Sequence, residues 1–207
     1  MPFHRARIVA LFCLALTVAA ACDRKEIPEK KGSGRDRTGV PAAPGTADGD
    51  GLRFASDTGR FRIVLPPGFP EPAESITPLP LPDGTSVELR QYTSVLGNNA
   101  VIVGFNTMNG LVVKGIEKQL LDNAREGTLK RMHATLEKEE EISLDGHPGR
   151  RLFILPSPAS DTTLKARKQV YVTDSMVYQL YYISTSRKAL ESPSADAFFD
   201  SFTLTGR

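Results

Sequence analysis

Chemistry in this chain would have to start from a short inventory of side chains. Beyond the first fifty residues the histidines are His133 and His147, and no Asp/Glu/His cluster stands at metal-ligand spacing. His133 falls on the flank of an apolar helical stripe and His147 in a Gly/Pro turn, so surface positions account for both. Glu137, Glu139, Glu140 and Glu141 with Lys138 form a charge run without EF-hand spacing, which reads as a solvated face. A G-x-S-x-G elbow, a G-x-x-x-x-G-K loop and a strand-linked G-x-G-x-x-G are all missing from the sequence. The expectation is therefore no catalytic residue, no cofactor-binding residue and no metal site, in a protein that is not an enzyme.

Cysteine is the exception. The chain holds Cys13 and Cys22 and no others. Around them lie a basic start with Arg5 and Arg7, an apolar run from Ile8, and small residues Ala19-Ala20-Ala21 before Cys22, the three parts of a secretory signal over residues 1–21. The run from Ile8 to Ala21 is 14 residues, short of the roughly 20 that a membrane-spanning helix needs. Cleavage between Ala21 and Cys22 discards Cys13, makes Cys22 the sole thiol of the mature chain and excludes an intramolecular disulfide.

The segment Val18-Ala19-Ala20-Ala21-Cys22 resembles the lipobox of bacterial lipoproteins, which implies acylation of Cys22. Ala19 stands where that motif most often carries Leu, and Ala19-x-Ala21 also suits ordinary signal peptidase. A multiply acylated cysteine is a stable anchor, whereas one acyl chain binds only marginally. The resemblance implies a place in the cell envelope, facing the periplasm, with the membrane as a partner through Cys22. Asp23 resembles the signal that keeps some enteric lipoproteins in the inner membrane, a rule that does not extend to every lineage, so either membrane stays open.

Charge narrows the partners further. The full chain carries +2, and loss of Arg5 and Arg7 leaves 24 basic against 24 acidic side chains. A neutral chain lacks the basic excess that phosphate binding requires, so nucleic acid is not an expected partner. Residues 23–50 are mostly Lys, Arg, Asp, Glu, Gly, Pro, Ala and Thr, with Ile27 and Val40 as the larger apolar groups. Such a composition buries too little surface to offset ordering entropy, and residues 22–50 read as the lipidated cysteine and a disordered tether with a reach of roughly 30 Å. Residues 51–207 suffice for a single domain.

The elements of that domain follow from periodicity. Phe61, Ile63 and Leu65 alternate with Arg60, Arg62 and Val64 as a half-buried strand, with Leu52 to Ala55 as its partner. Seven prolines between Pro66 and Pro82 predict an irregular connection that packs Phe69, Ile76 and Leu79 over a sheet edge. Val87 and Leu89 mark a one-sided strand, Gly97-Asn98-Asn99 a reversal, and Ala100 to Phe105 a central strand. Ile116, Leu120, Leu121, Ala124, Leu129, Met132 and Leu136 predict one long helix within Lys114 to Lys138, kinked at Gly127 where the stripe shifts. Two strands joined at Gly146-His147-Pro148-Gly149, a hairpin turning at Asp174-Ser175, a helix opened by Ser192-Pro193 and a last strand at Phe202 to Thr205 complete the reading. The fold class is α+β, an antiparallel sheet covered by one long kinked helix and a short C-terminal helix.

Several stretches carry a family likeness: Phe61-Arg62-Ile63-Val64-Leu65-Pro66-Pro67-Gly68-Phe69, the long middle helix, Asp145-Gly146-His147-Pro148-Gly149, the Tyr-rich hairpin, and Phe198-Phe199-Asp200-Ser201-Phe202. In this order they resemble the PsbP-like superfamily, including its DcrB-type envelope lipoproteins, over most of residues 51–207. That resemblance implies an antiparallel sheet covered by helices and a domain that binds partners rather than catalyses. Tyr178 and Tyr182 face opposite to Tyr181 along one strand, so Tyr178, Tyr181 and Tyr182 are the expected contact surface for an envelope protein, with ordinary cross-strand pairing as the competing account. A carrier or sensor of a small apolar ligand, held between sheet and helix, is the alternative, and a hydrolase the least expected.

Overall fold

The computed structural model describes residues 51–80, 86–108 and 114–206. The signal at 1–21, the cleavage site at Ala21 and Cys22, and the tether to residue 50 lie outside the described residues.

Among the described residues, two antiparallel sheets and three helices make the body. A small sheet forms from β1 (Arg53–Ser56), β2 (Phe61–Val64) and, near the C-terminus, β10 (Thr203–Leu204), in the order β1-β2-β10. A large sheet forms from β3 (Ala73–Pro80), β4 (Ser86–Leu96), β5 (Asn99–Thr107), β6 (Ala134–Leu144), β7 (His147–Pro156), β8 (Lys165–Val172) and β9 (Met176–Ser184). Its seven strands run β3-β4-β5-β9-β8-β7-β6, so β9 lies at the centre. The helices are α1 (Glu117–Arg131), α2 (Arg187–Leu190) and α3 (Pro193–Asp200).

Both faces of the large sheet are covered, which gives three layers. On one face Val101, Val103 and Phe105 of β5, Tyr171 of β8 and Tyr178, Leu180 and Tyr182 of β9 meet Phe61 and Ile63 of the small sheet and Phe198 and Phe199 of α3. On the other face Val170, Val172 and Val177 meet Leu120, Leu121 and Ala124 of α1. The α+β class is thus shown, and several local readings hold. Leu96 and Asn99 flank the Gly97-Asn98 reversal, Gly97 has φ 57°, and the Ser192 side chain accepts from the Ala195 amide at 3.2 Å as the cap of α3.

Three local expectations are corrected. The helix stops at Arg131 and is unbroken through Gly127; residues 134–136, expected to continue it, open strand β6, which runs on through the stretch from Glu137 expected as strand. The stripe shows no shift because Gly127 and Thr128, rather than Leu129, are the buried residues one turn after Ala124. Their small size hides them from a hydropathy pattern, while pairing with β7 decides the conformation of residues 134–136 over helix propensity.

The proline-rich stretch is not wholly irregular, since Ala73–Pro80 pairs with β4. As β3 has one neighbour it is an edge strand, where a proline's missing donor leaves no ladder bond unmade if it faces outward. Leu79 is buried there as expected, while Ile76 is 46% exposed.

The turn before β7 is Asp145-Gly146, with φ 51° and 83°, rather than Gly146 to Gly149. Both central residues are left-handed, the geometry of a tight two-residue hairpin loop. His147 is already the first residue of β7, paired with Leu144. Gly149 serves a different purpose within β7: a methyl group there would lie 2.5 Å from the Tyr171 ring and 2.6 Å from the Val170 carbonyl oxygen.

Candidate functional site

The tyrosines expected to meet a partner are interior. Tyr178, Tyr181 and Tyr182 are 3%, 1% and 5% exposed, because β9 is central and both of its faces are covered. Tyr178 donates to the Gly59 carbonyl at 2.9 Å, and Tyr182 packs edge-on against Phe69 and Phe198. Burial pushes the Tyr178 phenol up to about 12, against a smaller pull from Arg60. The missed signal was in the sequence: Met176 to Ser184 holds no charged residue, as a strand buried on both faces requires.

Tyr181 belongs to a polar group beneath α1 that sequence reasoning did not find. The Lys168 ammonium donates to the Ala124 carbonyl at 3.0 Å and to Thr128 Oγ1 at 2.7 Å, and sits 4.9 Å from the centre of the Tyr181 ring. Tyr181 donates to Gln179 Oε1 at 3.0 Å, with its hydroxyl 3.2 Å from that of Thr128. Burial alone would raise the Tyr181 phenol; the Lys168 charge and the hydrogen bonds from Thr128 and Lys168 outweigh it and lower it. Lys168 is 0% exposed, so the amine fastens α1 to the sheet rather than meeting a substrate from solvent.

The remaining charged groups likewise bind elements together. Arg150 on β7 donates to Asp122 of α1 at 2.6 Å and to Glu139 of β6 at 2.7 Å. Arg125 donates to the same Glu139 at 3.1 Å. On the opposite face Arg167 pairs with Asp196 of α3 and lies between Phe199 at 4.7 Å and Phe153 at 5.7 Å. The acidic run is thus partly committed: Glu139 holds two arginines, Glu137 pairs with Arg187, and Glu140 pairs with Lys138 and Arg151.

His133 sits in the turn after α1, exposed and at φ 44°, not on the flank of a helix. His147 is half-buried at the start of β7. No group of three or more His, Cys, Asp or Glu able to hold a metal ion occurs among the described residues. A surface depression is lined by Asp57, Arg60, Thr205 and Gly206, where the chain ends meet through the Thr205 amide and the Arg60 carbonyl at 2.7 Å.

Of the four exposed large apolar side chains among the described residues, Ile76 lies along edge strand β3 and the other three lie towards the β4–β5 tip. Val95 and Leu96, at the tip of the β4–β5 hairpin, are 56% and 41% exposed, and Leu52 is 38% exposed. Adjacent residues of a strand point to opposite faces, so the tip is apolar on both. A methyl group on Gly68 would lie 3.3 Å from the Leu96 side chain, which places the Pro66-Pro67-Gly68 loop beside it. The Leu65 amide, at the start of that loop, donates to the Leu52 carbonyl at 2.8 Å. The stretch Leu65 to Gly68 thus links Leu52, beside its start, to Leu96, beside its end, and residue 51, where the described residues begin, lies next to Leu65.

No protein-family model and no curated protein matches the chain. Among solved structures, the chain is similar to the solution structure of cyanobacterial PsbP (CyanoP) from Synechocystis. The TM-score is 0.49 at 10% identity, over 80% of this chain and 98% of that one.

Proposed function

We propose that the chain is an envelope lipoprotein, held at the membrane through acylated Cys22, whose α+β domain acts by binding an envelope protein and not by catalysis. The observation that carries this reading is the run Val18-Ala19-Ala20-Ala21-Cys22, placed after a basic and apolar leader. The finer family reading, a PsbP-like lipoprotein of DcrB type, belongs to the same proposal and rests on the motifs quoted above.

The domain's interior supports the binding half. Arg150, Arg167 and Lys168, the cations most withdrawn from solvent, join helices to strands, so their charge is used in holding the fold. Function then falls to the surface. Cross-linking in intact cells followed by purification of the Cys22-anchored protein tests this: the same envelope protein should return in every preparation. Recovery of no reproducible partner would count against a binding role.

A further inference from the structure

The β4–β5 corner has the composition of a surface that meets lipid. Across Val64 to Pro70 and Thr93 to Ala100 the chain carries no charged residue. Val95, Leu96, Pro67 and Leu52 are exposed, and Arg53, also exposed, follows Leu52 directly. The opposite end of the large sheet differs in kind. Its turns, Asp145-Gly146 and Asp174-Ser175, present carboxylates. The hairpin tip is uncharged, with Arg53 beside Leu52 and Glu71 just after Pro70 at its margin, and an uncharged, exposed apolar tip suits a domain standing on a bilayer.

The entry point of the chain selects the same end. A methyl group on Gly51 would lie 1.7 Å from the Leu65 carbonyl oxygen, so the residue leading in from 22–50 is pressed against the strand end beside Leu52. A lipid on Cys22 would therefore draw in the corner that holds Leu52, Val95 and Leu96. Few apolar residues are needed, because a tether with a reach of roughly 30 Å keeps the local membrane concentration in the millimolar range.

We propose that this corner inserts into the phospholipid leaflet that holds the Cys22 lipid. Val95, Leu96, Pro67 and Leu52 contact the acyl boundary, and Arg53 reaches headgroup phosphate. The membrane then orients the domain as well as retaining it, with the acidic turns facing away. This inference rests on the anchored reading above.

Because Cys13 leaves with the leader and Cys22 carries the lipid, an introduced cysteine is the single reactive thiol of the mature protein. An environment-sensitive fluorophore is placed by Asn98→Cys, in the turn beside Leu96, or by Asp174→Cys, at the opposite end. Each lipidated protein is reconstituted into phosphatidylethanolamine/phosphatidylglycerol vesicles. Position 98 should shift to the blue and be quenched by spin-labelled lipid several-fold more than position 174. Val95→Ser with Leu96→Ser should abolish the difference while the protein still floats with the vesicles.

Flotation without a shift at position 98 overturns the corner and leaves the anchor standing. Absence of both flotation and acyl chains on Cys22 refutes the anchor; excess vesicles then test the corner alone, a shift supporting it and no shift overturning it. A shift in native membranes that pure lipid does not reproduce overturns it also, as a protein then occupies the corner.

Discussion

Tyrosine is the residue on which sequence and structure part most clearly. Alternation along Met176 to Ser184 gave the correct facing of Tyr178 and Tyr182 against Tyr181, yet a pattern of side-chain direction does not say what lies above each face. The structure covers both, and the resulting environments separate the phenols. Burial raises Tyr92, Tyr171, Tyr178 and Tyr182, the phenol of Tyr178 to about 12, whereas Lys168 and Thr128 overcome burial to lower Tyr181. An alkaline ultraviolet titration of the folded protein should show one early tyrosine and four late ones, and Tyr181→Phe should remove the early phase alone. The linkage has opposite signs. Tyr178 contributes stability that is complete below its unfolded value of 10 and is lost as pH rises towards about 12. That loss amounts to at most about 3 kcal/mol. Tyr181 gains stability as pH rises from its lowered value to 10. An early phase that survives Tyr181→Phe would contradict the assignment.

Elements were legible where a local signal sufficed and obscure where a distant strand decided. The Gly97-Asn98 reversal, the Asp174-Ser175 turn and the Ser192 cap each rest on residues within a few positions of each other, and each stands where the sequence put it. Ala134 to Leu136 continues the helical stripe, but those residues pair with Ile154 to Pro156 at the far end of the β6–β7 hairpin, beyond a short local window. Thr77 and Pro78 likewise take their conformation from Leu89 and Glu88. Gly149 marks the tightest meeting of elements, since a side chain there collides with Tyr171 and the β8 backbone. Gly149→Ala should cost about 1–3 kcal/mol or more by overpacking, read as a lowered urea midpoint. Gly146, open to solvent at φ 83°, should lose only about 1 kcal/mol to Ala, from backbone strain. Equal costs at the two positions would show that β7 and β8 yield at their point of contact.

At the scale of the whole molecule the account joins a leader, a tether and a three-layer domain into one arrangement. The large sheet is covered on both faces, its buried charges hold elements together, and Leu52, Val95 and Leu96 are exposed towards the end where the described residues begin. The proposed anchor and the domain are read from the sequence, but not the corner, which residues 52, 67 and 95–96 form only in the fold. No helix among the described residues is long and apolar enough to cross a membrane. The proposed attachment is through Cys22. The intact mass of the mature protein, taken from the membrane fraction, tests that claim most directly. The account predicts a chain that begins at Cys22 and carries acyl chains, and a Cys22→Ser variant that is not processed. A mature chain beginning at Cys22 with a free thiol and no added mass would contradict it.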